Sequence, residues 1–497
     1  MKLTIKSLIA IGVVALLCVA CQAKSLKGAR PNIIMVITDD QGMGDLSCMG
    51  NEILKTPYID AFYRKSTRFT DFQVSPTCAP TRSAIMSGRV PFKNGVTHTI
   101  YQRERMALDV YTLPQALQSA GYATGLFGKW HLGDGEEYLP GNRGFDEVLM
   151  HGAGGIGQSR LGDFPPNAGP NSYFDNVLLH NDTIVQTQGF CTDLFFHAAL
   201  AWIKEQEEKD QPYFAYVSLN APHGPFIDNA PKAYQERFLK EGYDKKTAVR
   251  YGMIENIDDN FGQMMEKLEA WNALDNTIVI FMTDNGMSMG PITRNGEKLY
   301  PYNAGMKGRK NSPYEGGTHV PFFMQWKGVL EQGVDIDALT AHVDLYKTFC
   351  ELAGVDALPP EMQGLDGRSL LPLLQNKDAN WPDRELFVHC GRWPAGKRDD
   401  FKYEKCAVRT EQWRYVNNKE LYNVMVDPGE KNDLSNEYPA VIKQLQGSYE
   451  LWWQAVLPLM VNEDLPRVAP EDLPLVKRYY KQLDDFGIPD WMPASID

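Results

Sequence analysis

The sequence predicts an α/β protein: a large, mixed, mostly parallel sheet sandwiched by helices, followed by a smaller antiparallel sheet with a helix of its own. Three observations carry this. Past residue 30, short β-rich runs alternate with stretches of helical spacing, the order that builds a parallel sheet. The runs 32–38, 213–219 and 277–283 are continuously apolar, as strands covered on both faces must be. From about Glu385 the texture changes to four short runs at close spacing, which read as antiparallel strands.

Taken in order, helical periodicity covers 113–120, 192–208 and 251–271. The short strands of the second sheet fall at 385–389, 405–410, 413–417 and 420–424, and Asp427-Pro428-Gly429-Glu430 makes a turn. A helix comes next, over 437–456. The Pro-rich tail, 457–497, is expected to run extended over the surface. This divides the chain into a larger unit, 30–384, and a C-terminal subdomain with tail, 385–497.

The first 23 residues stand apart. Lys2 and Lys6 precede an apolar run from Leu8 to Ala20, the pattern of a secretory signal and too short for a permanent membrane helix. Two exits fit it. Cleavage after Ala23 frees a soluble chain. Alternatively, Val19-Ala20-Cys21 resembles a bacterial lipoprotein site, at which Cys21 takes the lipid and anchors the chain to a membrane; Cys18 stands where that site usually has Leu. Both exits place the protein in the periplasm or at the cell surface.

Composition narrows the function. The chain has 497 residues, 43% of them hydrophobic, enough for a large core. A net charge of −13 repels phosphate backbones and argues against nucleic-acid binding. Beyond the signal, Cys48, Cys191, Cys350, Cys390 and Cys406 are scattered without zinc-type spacing. Cys390 and Cys406 fall in the same predicted sheet and are the first pair to test for a disulfide.

The residues just beyond each buried strand carry the chemistry. The first strand ends in Asp39-Asp40-Gln41-Gly42, the second in Asn220-Ala221-Pro222-His223, the third in Asp284-Asn285-Gly286. Ligands of open α/β sheets bind beyond the carboxyl ends of the strands. One such cluster is ordinary turn chemistry, but three after three buried strands point to one site. Asp39, Asp40, Asp284 and Asn285 are all-oxygen ligands, suited to Ca²⁺ or Mg²⁺ and not to zinc.

A further motif is Cys78-Ala79-Pro80-Thr81-Arg82, with Ser87-Gly88-Arg89 after it. Pro80 suits the first turn of a helix, so Cys78 lies at a helix N-terminus, where backbone N–H groups favour anions. An activated thiolate is one reading, but no His–Asp arrangement is evident beside it, and sulfur is a poor match for hard-oxygen metal chemistry.

This register resembles the formylglycine-dependent sulfatases of the alkaline phosphatase-like superfamily, whose pattern is C-x-P-x-R and then S/T-G-R; Met86 stands where Leu is usual. The resemblance extends over nearly the whole mature chain. Gly128-Lys129-Trp130-His131-Leu132-Gly133 matches the family's G-K-W-H-L-G, Ala221-Pro222-His223 its histidine segment, and Lys310 before Glu315-Gly316-Gly317 its second catalytic lysine. Asn311 and Ser312 depart from the family's small residues, and Lys307 and Arg309 are neighbouring candidates for the lysine role. Glu420 to Glu430 resembles the family's C-terminal sheet.

The resemblance implies a sulfuric ester hydrolase acting on sulfated carbohydrates. A maturase would oxidise Cys78 to formylglycine, whose hydrate both attacks sulfur and ligates one Ca²⁺ with Asp39, Asp40, Asp284 and Asn285. Arg82, Lys129 and Lys310 would neutralise the sulfate, His223 or Lys310 protonate the leaving oxygen, and His131 assist release. Two other readings stay open: a phosphate or phosphonate ester hydrolase of the same superfamily, and a glycan-binding protein whose Cys78 is never converted. His98 and His151 are left outside the site. Gly152, Gly154, Gly155 and Gly157 read as a flexible loop, because no strand–helix context supports a phosphate loop. Asn181-Asp182-Thr183 fits a glycosylation sequon.

Overall fold

The computed structural model describes residues 25–165, 171–355, 359 and 364–496. The expected signal, 1–23, lies outside the described residues. Among them, no helix is long and apolar enough to cross a membrane.

A ten-stranded sheet forms the centre. Its spatial order is Val334–Ile336, Thr67–Phe69, Phe322–Trp326, Thr277–Thr283, Asn32–Thr38, Tyr213–Ser218, Ala123–Lys129, Glu147–His151, Val177–His180 and Thr183–Gln186. The five strands from Thr277–Thr283 to Glu147–His151 are parallel, and antiparallel pairings flank them on both sides. Asn32–Thr38 shows why an unbroken apolar run belongs here. Ile33, Met35 and Ile37 enter one hydrophobic cluster with the helices Leu113–Ser119 and Asp344–Ala353. Ile34 and Val36 enter the other with Cys191–Glu208 and Lys245–Ala270. Neither face meets water, so neither can be polar.

The second sheet is the antiparallel set Leu386–His389, Cys406–Arg409, Trp413–Val416 and Glu420–Asn423. The helix Pro439–Val456 packs Leu445, Tyr449 and Trp453 onto one face of it, against Val408 and Tyr415. Cys390 and Cys406 lie near each other but both are free thiols.

Two expectations need correction. The helix expected from 251 begins at Lys245, because the Asp244 carboxylate accepts the Thr247 amide at 2.8 Å and caps an earlier start. The tail is not simply extended. Pro474 opens a helix, Pro474–Asp485, that buries Leu475, Val476 and Tyr479 against the larger unit. Proline is tolerated in a first helical turn, so a Pro-rich stretch does not exclude a helix.

Candidate active site

Sheet register builds the site. Thr38 pairs with Thr283 at the ends of adjacent parallel strands, so Asp39 and Asp284 emerge side by side. Gly128 pairs with Ser218 on the neighbouring strands, which brings Lys129 to the same edge. The Asp39 amide donates to the Ala221 carbonyl at 3.1 Å, tying in the segment that carries His223. Cys78 is the first residue of the helix Cys78–Ser87 and is buried among these groups.

The charges are paired and deeply buried. Arg82 grips Asp284 through Nε at 3.1 Å and Nη2 at 2.8 Å, with a third hydrogen bond to Ser218 Oγ. Lys129 Nζ reaches Asp39 at 2.5 Å, and Lys310 Nζ reaches Asp40 at 2.5 Å. Burial pushes Asp39 up to about 6, against the pull of Lys129. It pushes Asp284 to about 6 too, with repulsion from Asp39 and against Arg82. Burial would also raise Asp40, but Lys310 and His223 hold its carboxyl below the usual range. Burial likewise opposes ionisation of Cys78, yet Lys129 and Lys310 draw its thiol below the ordinary value.

Two buried oxygens in this set, Asp39 Oδ1 and Asn285 Oδ1, accept no hydrogen bond. Ligand atoms of Asp39, Cys78 and Asp284 all lie within 4.8 Å of one another, and so do those of Asp39, Asp40 and His223. Buried polar atoms are normally satisfied. Unpartnered oxygens beside carboxylates with raised pKa values are the donors a hard divalent cation takes, so the residues fit such an ion.

The histidines have fixed tautomers. A carbonyl can only accept, so His131 donates from Nε2 to Thr99 O at 2.8 Å and keeps an unpartnered Nδ1 lone pair. Burial, then Lys129, holds it neutral. His223 donates from Nδ1 to Gly224 O at 2.6 Å, leaving Nε2 at 3.6 Å from Asp40.

All the sequence-predicted residues converge here. Lys310, and neither of its neighbours, faces the site: Lys307 is engaged with Glu420 and Tyr422, and Arg309 with the Met289 carbonyl. The glycine segment is not an open loop. It packs against His131 so closely that a Cβ at Gly154 would lie 2.5 Å from the imidazole. His151 is buried with Nδ1 on Gly152 O, while His98 lines the cavity above Cys78.

Several residues that sequence reasoning missed hold the site in place. Asp40 has a left-handed backbone (φ 67°), and the buried Arg250–Asp45 pair secures its carbonyl at 3.2 Å. Asp45 comes after Asp39-Asp40 in the same turn and could have been suspected; Arg250, two hundred residues on, could not. The cavity over the site, about 320 Å³, is also lined by Gln158, Ser288, Asn311 and Arg392.

Comparison with known proteins identifies the family. The sulfatase family model matches residues 31–355, and a model described as N-sulphoglucosamine sulphohydrolase, C-terminal, matches 309–451. The human N-acetylgalactosamine-6-sulfatase is 30% identical over 389 residues, covering 73% of this chain and 68% of its own. A protein of Escherichia coli (strain K12) named uncharacterized sulfatase YdeN is 28% identical, with 85% of each chain covered. The crystal structure of Ps i-CgsB in complex with k-i-k-neocarrahexaose superposes with a TM-score of 0.73 at 28% identity, covering 88% of this chain and 94% of that one. The chain belongs to the sulfatase family of sulfuric ester hydrolases.

Proposed function

We propose that the protein removes sulfate from sulfated saccharides, using formylglycine made from Cys78 by a maturase and one bound Ca²⁺. The observation that carries this is the convergence of Cys78, the Asp39/Asp40/Asp284/Asn285 oxygens and three cations under a single cavity. The saccharide assignment leans on two relatives, one named for N-acetylgalactosamine 6-sulfate and one holding a sugar oligomer.

Asp39, Asp40, Asp284 and Asn285 would hold the cation, which supplies a Lewis-acid centre for a sulfate oxygen. Formylglycine would supply a geminal diol, an oxygen nucleophile that cysteine lacks, with a second hydroxyl on the same carbon that serine lacks. The chain's own residues do the rest. Arg82 fixes Asp284 and adds positive charge behind the site. Lys129 and Lys310 lie where the negative charge of the sulfate accumulates. The free Nδ1 of His131 accepts a proton. Lys310, paired with Asp40, or His223 once its free Nε2 is protonated, would supply one to the leaving oxygen. The signal-like residues 1–23 support the reading of an exported protein, soluble or anchored through Cys21.

The test is direct. In active preparations, tryptic mass spectrometry should show a loss of about 18 Da at Cys78, thiol to aldehyde. Metal analysis should find one calcium per chain, lost in Asp284→Ala. Full activity with an unmodified thiol, stoichiometric zinc, or turnover of aryl sulfates alone with no mono-sulfated saccharide would each refute part of this reading.

A further inference from the structure

The cavity over Cys78 shares a wall, formed by His98 and Arg392, with a second cavity of about 300 Å³. Arg392 belongs to the C-terminal part of the chain, and its loop is clamped onto the larger unit. Arg103 donates to the carbonyls of Gly391 and Trp393, both at 2.9 Å, and pairs with Glu463 at 2.8 Å. Trp393 Nε1 donates to the other Glu463 oxygen at 2.5 Å. Gly391 is left-handed (φ 67°), and a Cβ there would collide with the Thr97 carbonyl, so only glycine lets the loop approach so closely.

Arg392 is therefore held in place from both sides. One Nη donates to Thr99 Oγ1 at 2.8 Å, and Nε is buried with no acceptor. His98 accepts the Thr99 amide on Nδ1 at 2.7 Å, which places its proton on Nε2. Burial, with Arg103 and Arg392 nearby, pushes that imidazole down to about 3, so it is neutral and adds no charge to the wall. At the outer rim the Arg467 guanidinium lies over the Tyr101 ring, 4.0 Å from its centroid. Among the described residues, Glu463 is the one acidic residue lining this cavity, and it is spent on Arg103, Trp393 and Thr97. Among the described residues, neither Arg392 nor Arg467 has a carboxylate partner. In a chain of net charge −13, two such arginines beside the reacting site are an unbalanced positive surface.

We infer that this second cavity is a subsite for a second anionic substituent, a sulfate ester or a carboxylate, on the same saccharide, with Arg392 as its principal ligand and Arg467 at its rim. A guanidinium carries five N–H donors arranged for two-point binding of such groups. The inference rests on the saccharide sulfatase reading and adds to it that the preferred substrate is polyanionic.

The experiment measures kcat/KM on 4-methylumbelliferyl sulfate and on three sets of disaccharides: one sulfate alone, one sulfate with a uronate, and two sulfates. Wild type should prefer the di-anionic sets, and the preference should shrink as salt rises. Arg392→Ala should lower the ratio of di-anionic to mono-anionic kcat/KM by about tenfold, chiefly through KM, with Arg392→Lys intermediate. Arg467→Ala, on the exposed rim, should act in the same direction by about threefold. Whether the uronate or the disulfated set loses more identifies the anion. Equal losses on every substrate, or an unchanged ratio in both Ala variants while wild type still cleaves saccharides, overturn the subsite alone. If wild type cleaves the aryl sulfate and no disaccharide, the saccharide reading falls and the subsite with it.

Discussion

Two buried charge clusters in this molecule look alike on paper and differ in use. One is Asp39, Asp40 and Asp284 with Arg82, Lys129 and Lys310. The other is Asp71 and Glu315 with His319, Arg409 and Arg414. Each contributes to a set of three ligand-type groups whose atoms lie within 4.8 Å of one another, Asp39, Cys78 and Asp284 in the first and Asp71, Glu315 and His319 in the second. In the second, the polar side-chain atoms of these five residues all have partners, although the neighbouring Glu430, 3.5 Å from Arg414, keeps one buried oxygen without a hydrogen bond. Glu315 accepts from Arg409 at 3.0 Å and Arg414 at 2.5 Å, and its other oxygen meets His319 at 2.8 Å; Asp71 takes Arg409 at 2.7 Å. Burial would raise Glu315, but the two arginines hold it well below its ordinary value. In the first cluster burial wins at Asp39 and Asp284, both near 6, and two oxygens stay unpartnered under a cavity. The difference teaches that burial and charge do not by themselves mark a site; unpartnered oxygens open to a ligand do. The satisfied cluster joins the two sheets, since Arg409 and Arg414 come from the C-terminal sheet and Glu315 from the larger unit.

The contrast can be broken most severely at Cys78. Cys78→Ala should lose at least about 10⁴-fold in turnover, about 5.5 kcal/mol, with no comparable loss of stability. A variant that still turned over sulfate esters well would show that the first cluster is not the engine. Glu315→Gln should do the reverse. Removing one partner from a buried ionic network costs about 3–5 kcal/mol of folding stability, while turnover per folded molecule should stay within about twofold. Denaturant melts paired with active-site titration measure both, and wild-type stability would dissolve the distinction.

A finer division lies inside the first cluster. His223→Ala and Lys310→Ala should each lose about a hundredfold on sugar sulfates and less on an activated aryl sulfate, because only the poorer leaving group needs the proton. Equal losses on both would make these residues sulfate binders. The smallest effect is a pH dependence of the second cluster. A depressed carboxyl contributes stability above its unfolded value of 4.5 and loses it as pH falls through the folded one. The stability gap between wild type and Glu315→Gln should therefore be full at neutral pH and narrow below about 4.5. A gap that is constant down to about pH 3 would mean that Glu315 contributes packing and not charge.

The parts of the fold that were legible share one property: their signal is local. Asn32–Thr38 and Thr277–Thr283 were readable to the residue because both faces are buried and every position between their polar ends is apolar. The four short C-terminal strands were readable within a residue or two for the related reason that turn residues interrupt them. The tail helix was missed although Leu475, Val476 and Tyr479 have helical spacing, because proline density outweighed three apolar positions.

The sequence by itself determined which residues sit at the ends of the buried strands and which chemistry they can do. Strand ends and short motifs that resemble those of a known family are properties of neighbouring residues, so Asp39, Cys78, Arg82, Lys129, His223 and Asp284 could be named without coordinates. Only the tertiary structure decided among competitors and partners. It turned Lys310, and not Lys307 or Arg309, toward Asp40. It set Arg250 behind the Asp40 carbonyl, and it carried Arg392 from the C-terminal part to the wall above Cys78. Each of those contacts joins residues more than two hundred positions apart. Their alignment depends on sheet register and loop packing across the whole core, which no window of sequence contains.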